Sequence, residues 1–189
     1  MEKSFEEEFD LEKKRFMVEA NFGISLPAAG AIYWLALGIA GFYLDPRTWS
    51  IFGFFGSGLI FPLGLMLNRP LKANLSAKSP FTSLAMPAIA SMFLSWPMII
   101  AAFLTDLSLV PLFLAIGMAL HWPAIGWMYG SEVCMFHALV RVVLVSILWY
   151  FVPDLRFILI PLVVCGLYLI TIIGMRREVN EAKLLLGKS

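Results

Sequence analysis

The chain has 189 residues, of which 60% are hydrophobic and only 14% are charged, and its formal net charge is +1. A soluble domain carries about 25% charged residues. No aqueous fold of this length can bury so much apolar surface, so the composition predicts a membrane protein whose solvent is lipid. The small net charge leaves no basic face to neutralise phosphates, which argues against nucleic acid as a partner.

The first 21 residues are polar and charged. Ser4-Phe5-Glu6-Glu7 matches the capping box that opens a helix, and Phe5, Phe9 and Phe16 fall near one helix face. Residues 1–21 are therefore predicted to form a cytoplasmic amphipathic helix. It would lie on the inner bilayer surface or lead, solvated, into the first span.

Residues 22–175 are predicted to form an all-α transmembrane bundle of six spans. A helix rises about 1.5 Å per residue and the hydrocarbon core is about 30 Å thick, so about 20 residues cross it. Runs longer than one crossing must break at their polar points, Thr105-Asp106 and Pro153-Asp154. The predicted spans are 24–44, 50–67, 83–104, 107–129, 133–152 and 157–175.

The basic residues predict the orientation. Eleven of the fourteen lysines and arginines fall in the N-terminal tail, in the loop after the second span, or in the C-terminal tail over residues 176–189. A six-span chain places these three segments on one side of the membrane. Because basic loops stay inside, both termini and the C-terminal tail are predicted to be cytoplasmic.

Spans four and five form a predicted hairpin with polar residues at matching depths. His121 lies ten residues before Ser131, and Arg141 lies ten residues after it. Both are then about 15 Å from the turn, near the bilayer midplane. On span five, Cys134, His137 and Arg141 follow i, i+3, i+7 spacing and form one polar stripe that climbs towards His121.

Arg141 is the residue on which the functional hypothesis depends. An arginine at this depth costs about 2.5–3.5 kcal/mol on insertion scales, and none of the thirteen acidic residues lies within a span. Three partners remain open: backbone carbonyls or water reached by snorkelling, an anion from outside the chain, or an acid of another subunit. Trp122 also lies deep, and its indole N–H needs a partner there.

These observations define the candidate binding residues as His121, Trp122, His137 and Arg141. Ser57 and Cys134 are further candidates for lining a cavity. Ser57 lies in span two, whose many glycines indicate either a broken helix beside a site or close helix packing. No metal site is predicted, because Cys134, His137 and His121 differ in depth and no acid completes the set. No cofactor is predicted either.

Enzyme motifs are absent from the sequence, so a non-enzymatic protein is predicted. There is no HExxH and no nucleotide-binding glycine loop. Gly56-Ser57-Gly58 lacks the glycine two residues before Ser57 that a rhomboid-type protease motif requires. No pair of intramembrane carboxylates exists for acid–base or metal-assisted chemistry.

Three short motifs carry a resemblance to a known family: Phe61-Pro62-Leu63-Gly64, His121-Trp122-Pro123 and Trp127-Met128-Tyr129-Gly130. They resemble stretches in a family of small, uncharacterised six-span bacterial integral membrane proteins. The resemblance implies six spans and a location in the bacterial inner membrane. That family has no known activity, so the resemblance adds no mechanism.

The leading functional hypothesis is a small transporter or channel-like protein with a cytoplasm-facing polar cavity. Its ligand would be a small anionic solute or a lipid headgroup. The alternative is a non-catalytic membrane protein that assembles with or regulates a partner, because Ala36/Ala40 and Ala115/Ala119 are small-residue pairs suited to helix packing. A lipid-modifying enzyme ranks third. Besides the bilayer, a second copy of the chain is expected as a partner. Large transporter superfamilies usually need more helices than the six of this chain, so a transporter of this size would depend on dimerisation.

The six-span topology predicts where single introduced cysteines react. Lys72→Cys lies in a cytoplasmic loop of this topology, whereas Arg47→Cys lies in an external one. In intact cells, a membrane-impermeant thiol reagent should label Arg47→Cys and spare Lys72→Cys. Equal labelling of both variants from outside would contradict the topology.

Overall fold

The computed structural model describes residues 4–187, and every regular element in that part of the chain is a helix. The predicted all-α fold is therefore confirmed. In chain order the α-helices are α1 Phe5–Ala20, α2 Ser25–Ala40, α3 Pro46–Gly56, α4 Ile60–Leu71, α5 Ala85–Phe93, α6 Trp96–Thr105, α7 Val110–Gly117, α8 Trp122–Tyr129, α9 Glu132–Phe151 and α10 Arg156–Leu185.

Between residues 4 and 187, six helical segments are long and apolar enough to cross a membrane, which confirms the predicted number of spans. Each predicted span falls within or largely within one of them. The six segments are Phe5–Ala40, Pro46–Leu71, Pro80–Thr105, Leu107–Tyr129, Glu132–Phe151 and Pro153–Leu185.

Polar residues cap the starts of helical segments where the chain turns. The Asp45 carboxylate accepts the backbone N–H groups of Arg47 and Thr48 at 3.0 and 3.1 Å and so caps α3. Hydrogen bonds from Thr48, first through its side chain and then its backbone, lower the pKa of Asp45. Asp106 accepts the N–H of Ser108 at 2.9 Å, at the predicted break between spans three and four.

Spans two, three and four are each divided into two shorter helices. The divisions fall at Ser57–Leu59, at residues 94–95 and at residues 118–121. Proline lies near the start of the second helix in spans three and four, at Pro97 and Pro123, where it lacks an N–H to continue the preceding ladder. After the division of span four, the first residue of α8 is buried, with Trp122 only 3% exposed.

Helices α2 and α10 approach closely at the centre of the bundle. The approach depends on glycines of α2: a Cβ at Gly30 would lie 2.8 Å from Tyr168 Cε1, and one at Gly38 would lie 2.5 Å from Leu162 Cδ2. Helix α9 also packs against α10, and the side chain of Val133 lies against Gly174 of α10. Small residues at contacts let membrane helices approach to van der Waals distance.

The predicted capping box and N-terminal helix are present, with Ser4 as the N-cap of α1. The helix packs against the protein, because Phe16 stacks on Tyr129 at 4.9 Å and Lys13 Nζ lies 4.5 Å from the Trp127 ring. Between α1 and α2 the chain turns sharply through Asn21 and Phe22, whose φ angles are 44° and 57°. Residues 1–3 of the predicted N-terminal helix lie outside the described part.

Helix α10 continues ten residues beyond the predicted end of span six, to Leu185. Val179 and Ala182 on this extension are each 3% exposed, and α10 also contacts α1. Most of the segment predicted as a C-terminal tail is thus a helical continuation with buried side chains. Residues 188–189 of that tail lie outside the described part.

Candidate functional site

Seven polar or aromatic side chains meet in the middle of the bundle, and we call them the Arg141 cluster. They come from α2, from the division before α8, and from α8, α9 and α10. The members are Trp34, His121, Trp122, His137, Arg141, Tyr168 and Thr171.

Arg141 lies at the centre of this cluster and is fully buried, with 0% exposure. Its Nη1 donates to the Tyr168 hydroxyl oxygen at 3.4 Å. Its guanidinium carbon lies 5.0 Å from the Trp34 ring centroid and 5.5 Å from that of Tyr168. Among residues 4–187 no carboxylate lies within ion-pair distance of Arg141. A buried positive charge therefore has aromatic neighbours and one hydroxyl, with no acid to balance it.

The remaining nitrogens of the guanidinium form one open edge. Nε and Nη2 of Arg141 are both buried, and neither has a hydrogen-bond partner among the described residues. The N–H groups of Nε and Nη2 point in parallel from the same side of the planar group. This edge is the one that binds two oxygens of a carboxylate or another oxyanion at once.

Two tryptophans of the cluster add unpaired indole donors. Nε1 of Trp34 and Nε1 of Trp122 are buried without a hydrogen-bond partner in the described part of the chain. Elsewhere in the bundle, Trp49 donates to the Leu37 carbonyl and Trp149 to the Ser108 carbonyl, each at 2.8 Å. An indole N–H is a donor only, and buried ones usually find an acceptor.

The two histidines complete the set. His137 Nδ1 lies 2.7 Å from Thr171 Oγ1. Within residues 4–187, His137 Nε2 and His121 Nδ1 have no hydrogen-bond partner. The rings are adjacent, since Trp122 lies 4.1 Å from His137 and 5.6 Å from His121 between centroids. Either ring nitrogen of a neutral histidine donates or accepts according to the tautomer.

The unpaired polar atoms are concentrated in this one place. Six buried side-chain nitrogen or oxygen atoms lack a partner among residues 4–187, and all six belong to the Arg141 cluster. Buried polar groups in native proteins are nearly always hydrogen-bonded, because an unsatisfied one costs about 1–3 kcal/mol. Their concentration around an unbalanced cation makes the cluster the candidate site for an acceptor-rich ligand.

The start of α8 brings two members of the cluster together. His121 is the N-cap residue of α8 and Trp122 is its first residue. The Trp122 N–H donates to the Ala119 carbonyl at 3.1 Å, and Pro123 has no N–H. This helix end therefore contributes side chains to the cluster through His121 and Trp122.

A ladder of three contacts holds α9 and α10 in register. Ser131 Oγ donates to Glu178 Oε2 at 2.5 Å, and the Val133 N–H donates to Oε1 of the same carboxylate at 3.3 Å. Further along α9, towards its C-terminal end, come the His137–Thr171 contact and then the Arg141–Tyr168 contact. Because the helices are antiparallel, the Glu178 anchor sets the positions of both.

The structure brings His121, Trp122, His137 and Arg141 together. Cys134 lies one turn before His137, buried, with its backbone N–H donating to Ser131 Oγ. Ser57 lies apart, and its hydroxyl donates to the Phe54 carbonyl at 2.7 Å. Within the described residues, no group of three histidine, cysteine or acidic side chains is arranged to hold a metal.

The sequence analysis did not identify three members of the cluster, Trp34, Tyr168 and Thr171. Tyr168 and Thr171 are spaced i, i+3 within the otherwise apolar span six, which places them on one helix face. This spacing was a usable signal. Trp34 gave no comparable signal, because it lies in a span with apolar residues on every side.

A groove of about 360 Å³ lies elsewhere, between α2 and α3–α4, and its lining includes Tyr33, Ala36, Ala40 and Gly56. No member of the Arg141 cluster lines it. The small-residue pairs therefore differ: Ala115 and Ala119 are packed in the core at 0% and 2% exposure, whereas Ala36/Ala40 face this open groove.

A sequence profile named "Family of unknown function (DUF7010)" matches residues 9–178. The chain belongs to this family. The match to DUF7010 contains every residue of the Arg141 cluster, and it agrees with the resemblance to a family that has no assigned activity. The DUF7010 description names neither a membrane location nor a bacterial source. No curated protein and no solved structure matches the chain.

The position of Tyr168 against Gly30 leads to a stability prediction. In Gly30→Ala the new methyl group would meet the Tyr168 ring and displace the hydroxyl that binds Arg141. Overpacking of this kind costs about 1–3 kcal/mol. The thermal midpoint of Gly30→Ala in detergent should therefore fall below that of the parent protein.

Gly166→Ala is the matched control, because nothing lies within 4 Å of a Cβ at that position of α10. It should melt at or slightly above the parent temperature, since alanine favours the helix. Equal melting temperatures for the two variants would show that Gly30 is not needed to place Tyr168.

Proposed function

We propose that this DUF7010 protein is a small membrane transporter that binds an anionic solute at the Arg141 cluster. The observation that carries the proposal is that six buried nitrogens without a hydrogen-bond partner among residues 4–187 all belong to one cluster, whose arginine has no carboxylate within ion-pair distance there. The cluster is rich in donors, and its one charged member is a cation. An anion with several oxygens satisfies both conditions together.

The energetic argument favours a ligand over a purely structural role. A buried charge without a counter-charge costs several kcal/mol, and each unpaired donor adds its own desolvation cost. Had Arg141 only tied kinked helices together, its Nε and Nη2 would donate to carbonyls that the divided spans release. Neither atom has such an acceptor among residues 4–187.

The divided helices support transport rather than static binding. Transporters commonly bind solutes beside interrupted helices, and the start of α8 after the division of span four contributes His121 and Trp122 to the cluster. Arg141 is completely enclosed, which fits the closed state of an alternating-access cycle. We place the cytoplasmic opening at the α1 end, where the stacking of Phe16 on Tyr129 would have to separate.

The alternative function is a non-catalytic membrane protein that assembles with a second copy of itself. The observation that favours it is the open groove lined by Ala36, Ala40 and Gly56, since small residues are typical of helix–helix contacts in membranes. In that case the Arg141 cluster is a structural feature filled by water. It would then show no response to added anions.

Indole spectroscopy separates these functions. The full chain is purified in detergent with ¹⁵N-labelled tryptophan and titrated with sodium formate against sodium chloride at equal ionic strength. The N–H signals of Trp34 and Trp122 should move and saturate, because their donors are unpaired. Those of Trp49 and Trp149 should stay, because carbonyls already occupy them.

Arg141→Lys keeps the charge but loses the two-point edge, so it should abolish the saturable shift. Arg69→Lys, the same substitution at an exposed position, should leave the shift intact. Counterflow of labelled formate into proteoliposomes, lost in Arg141→Lys, would separate a transporter from a protein that only binds. No movement of either cluster indole would reject the binding proposal and favour assembly.

A further inference from the structure

The chemistry of the Arg141 cluster narrows the class of ligand. We infer that the site takes a small, planar oxyanion with a single negative charge, the class that contains carboxylates, nitrate and bicarbonate. This inference rests on the proposed function, because it presupposes that an anion binds. It adds the charge, shape and size of that anion.

The charge follows from the composition of the cluster. Arg141 is its one permanently charged member, and no carboxylate lies within ion-pair distance of it in the part of the chain that the structure describes. A monoanion balances this charge. A dianion such as sulfate would leave one negative charge buried without a partner, at a cost of several kcal/mol. An ammonium group on the ligand would likewise find no acid in the cluster.

The number of donors matches a planar two-oxygen edge. A carboxylate accepts hydrogen bonds at about four lone-pair sites. The open edge of Arg141 supplies Nε–H and one Nη2–H, and the indoles of Trp34 and Trp122 supply one N–H each. The unpaired nitrogens of His121 and His137 adjust by tautomer, so they accept a hydrogen bond from a ligand hydroxyl or donate one to a third oxygen.

The shape follows from the open edge of Arg141. Its Nε–H and Nη2–H lie in the plane of the guanidinium, so two oxygens in that same plane accept from both at once. The Trp122 and His137 rings are stacked in contact, 4.1 Å between centroids, so a ligand does not lie between them. The complete enclosure of Arg141 favours a small anion.

The experiment compares small solutes that differ in charge and shape. The parent protein in detergent, with its labelled indoles, is titrated with sodium formate, nitrate, sulfate and phosphate, and with glycine. Formate and nitrate should shift Trp34 and Trp122 with apparent dissociation constants at least about tenfold lower than those of sulfate, phosphate or glycine.

Removal of a single donor tests the geometry. Trp34→Phe keeps an aromatic ring but loses the unpaired N–H, so it should weaken formate binding about tenfold or more when followed through Trp122. Trp49→Phe is the control, because its N–H is bonded to the Leu37 carbonyl. It should leave formate affinity unchanged. If Trp34→Phe fails to fold, Trp122→Phe followed through Trp34 makes the same test.

The possible outcomes separate this inference from the proposed function. Sulfate or phosphate binding as tightly as formate would overturn the planar monoanion while leaving an Arg141-dependent anion site in place. Glycine binding as tightly as formate would overturn the charge argument in the same way. If none of the tested anions produced a saturable shift, both the inference and the proposed function would be overturned. Water alone would then fill the cluster.

Discussion

The enclosure of Arg141 is the constraint around which this bundle is built. A guanidinium keeps its charge in proteins, so the surrounding residues have to accommodate a cation that cannot be discharged. The bundle supplies one hydroxyl and two aromatic faces. Aromatic faces attract cations, by about 2 kcal/mol or more when desolvated. That attraction offsets part of the cost of burial and leaves the open edge of Arg141 free.

Other features of the fold serve the same arrangement. Gly30 lets the Tyr168 ring rest against α2, and the Tyr168 hydroxyl then reaches Arg141. The Glu178 carboxylate anchors the start of α9 and so sets the register of the His137–Thr171 contact. After the division of span four, the Trp122 ring lies against His137, and His121 lies beside Trp122. The cluster thus depends on residues from four separated parts of the chain.

Much of the fold follows from the sequence because lipid removes most alternatives. Backbone groups in hydrocarbon must pair within a helix, so each long apolar run predicts a span, and Asp106 marks a break that the structure contains. The hairpin around Ser131 likewise predicts that His121 and Arg141 approach each other. Both inferences need only the rise of a helix and the length of a run.

The remainder depends on which helix faces which, and apolar spans carry little information about that. In lipid both the outer and the inner face of a helix are apolar, so no periodicity pointed Trp34 towards Arg141. The packing of α1 against the rest of the protein could not be predicted from the sequence for a related reason. Phe16 and Lys13 suit a bilayer surface as well as they suit Tyr129 and Trp127. Tertiary partners decide between such surfaces, and one sequence does not specify them.

The most direct test of an anion-binding arginine is the stability of Arg141→Leu with and without formate. Leucine removes the cost of the buried charge, so our account predicts a variant at least as stable as the formate-free parent in detergent. Formate should raise the melting temperature of the parent alone. A variant less stable by about 1–3 kcal/mol, with neither protein responding to formate, would show that Arg141 is a structural tie and contradict the account.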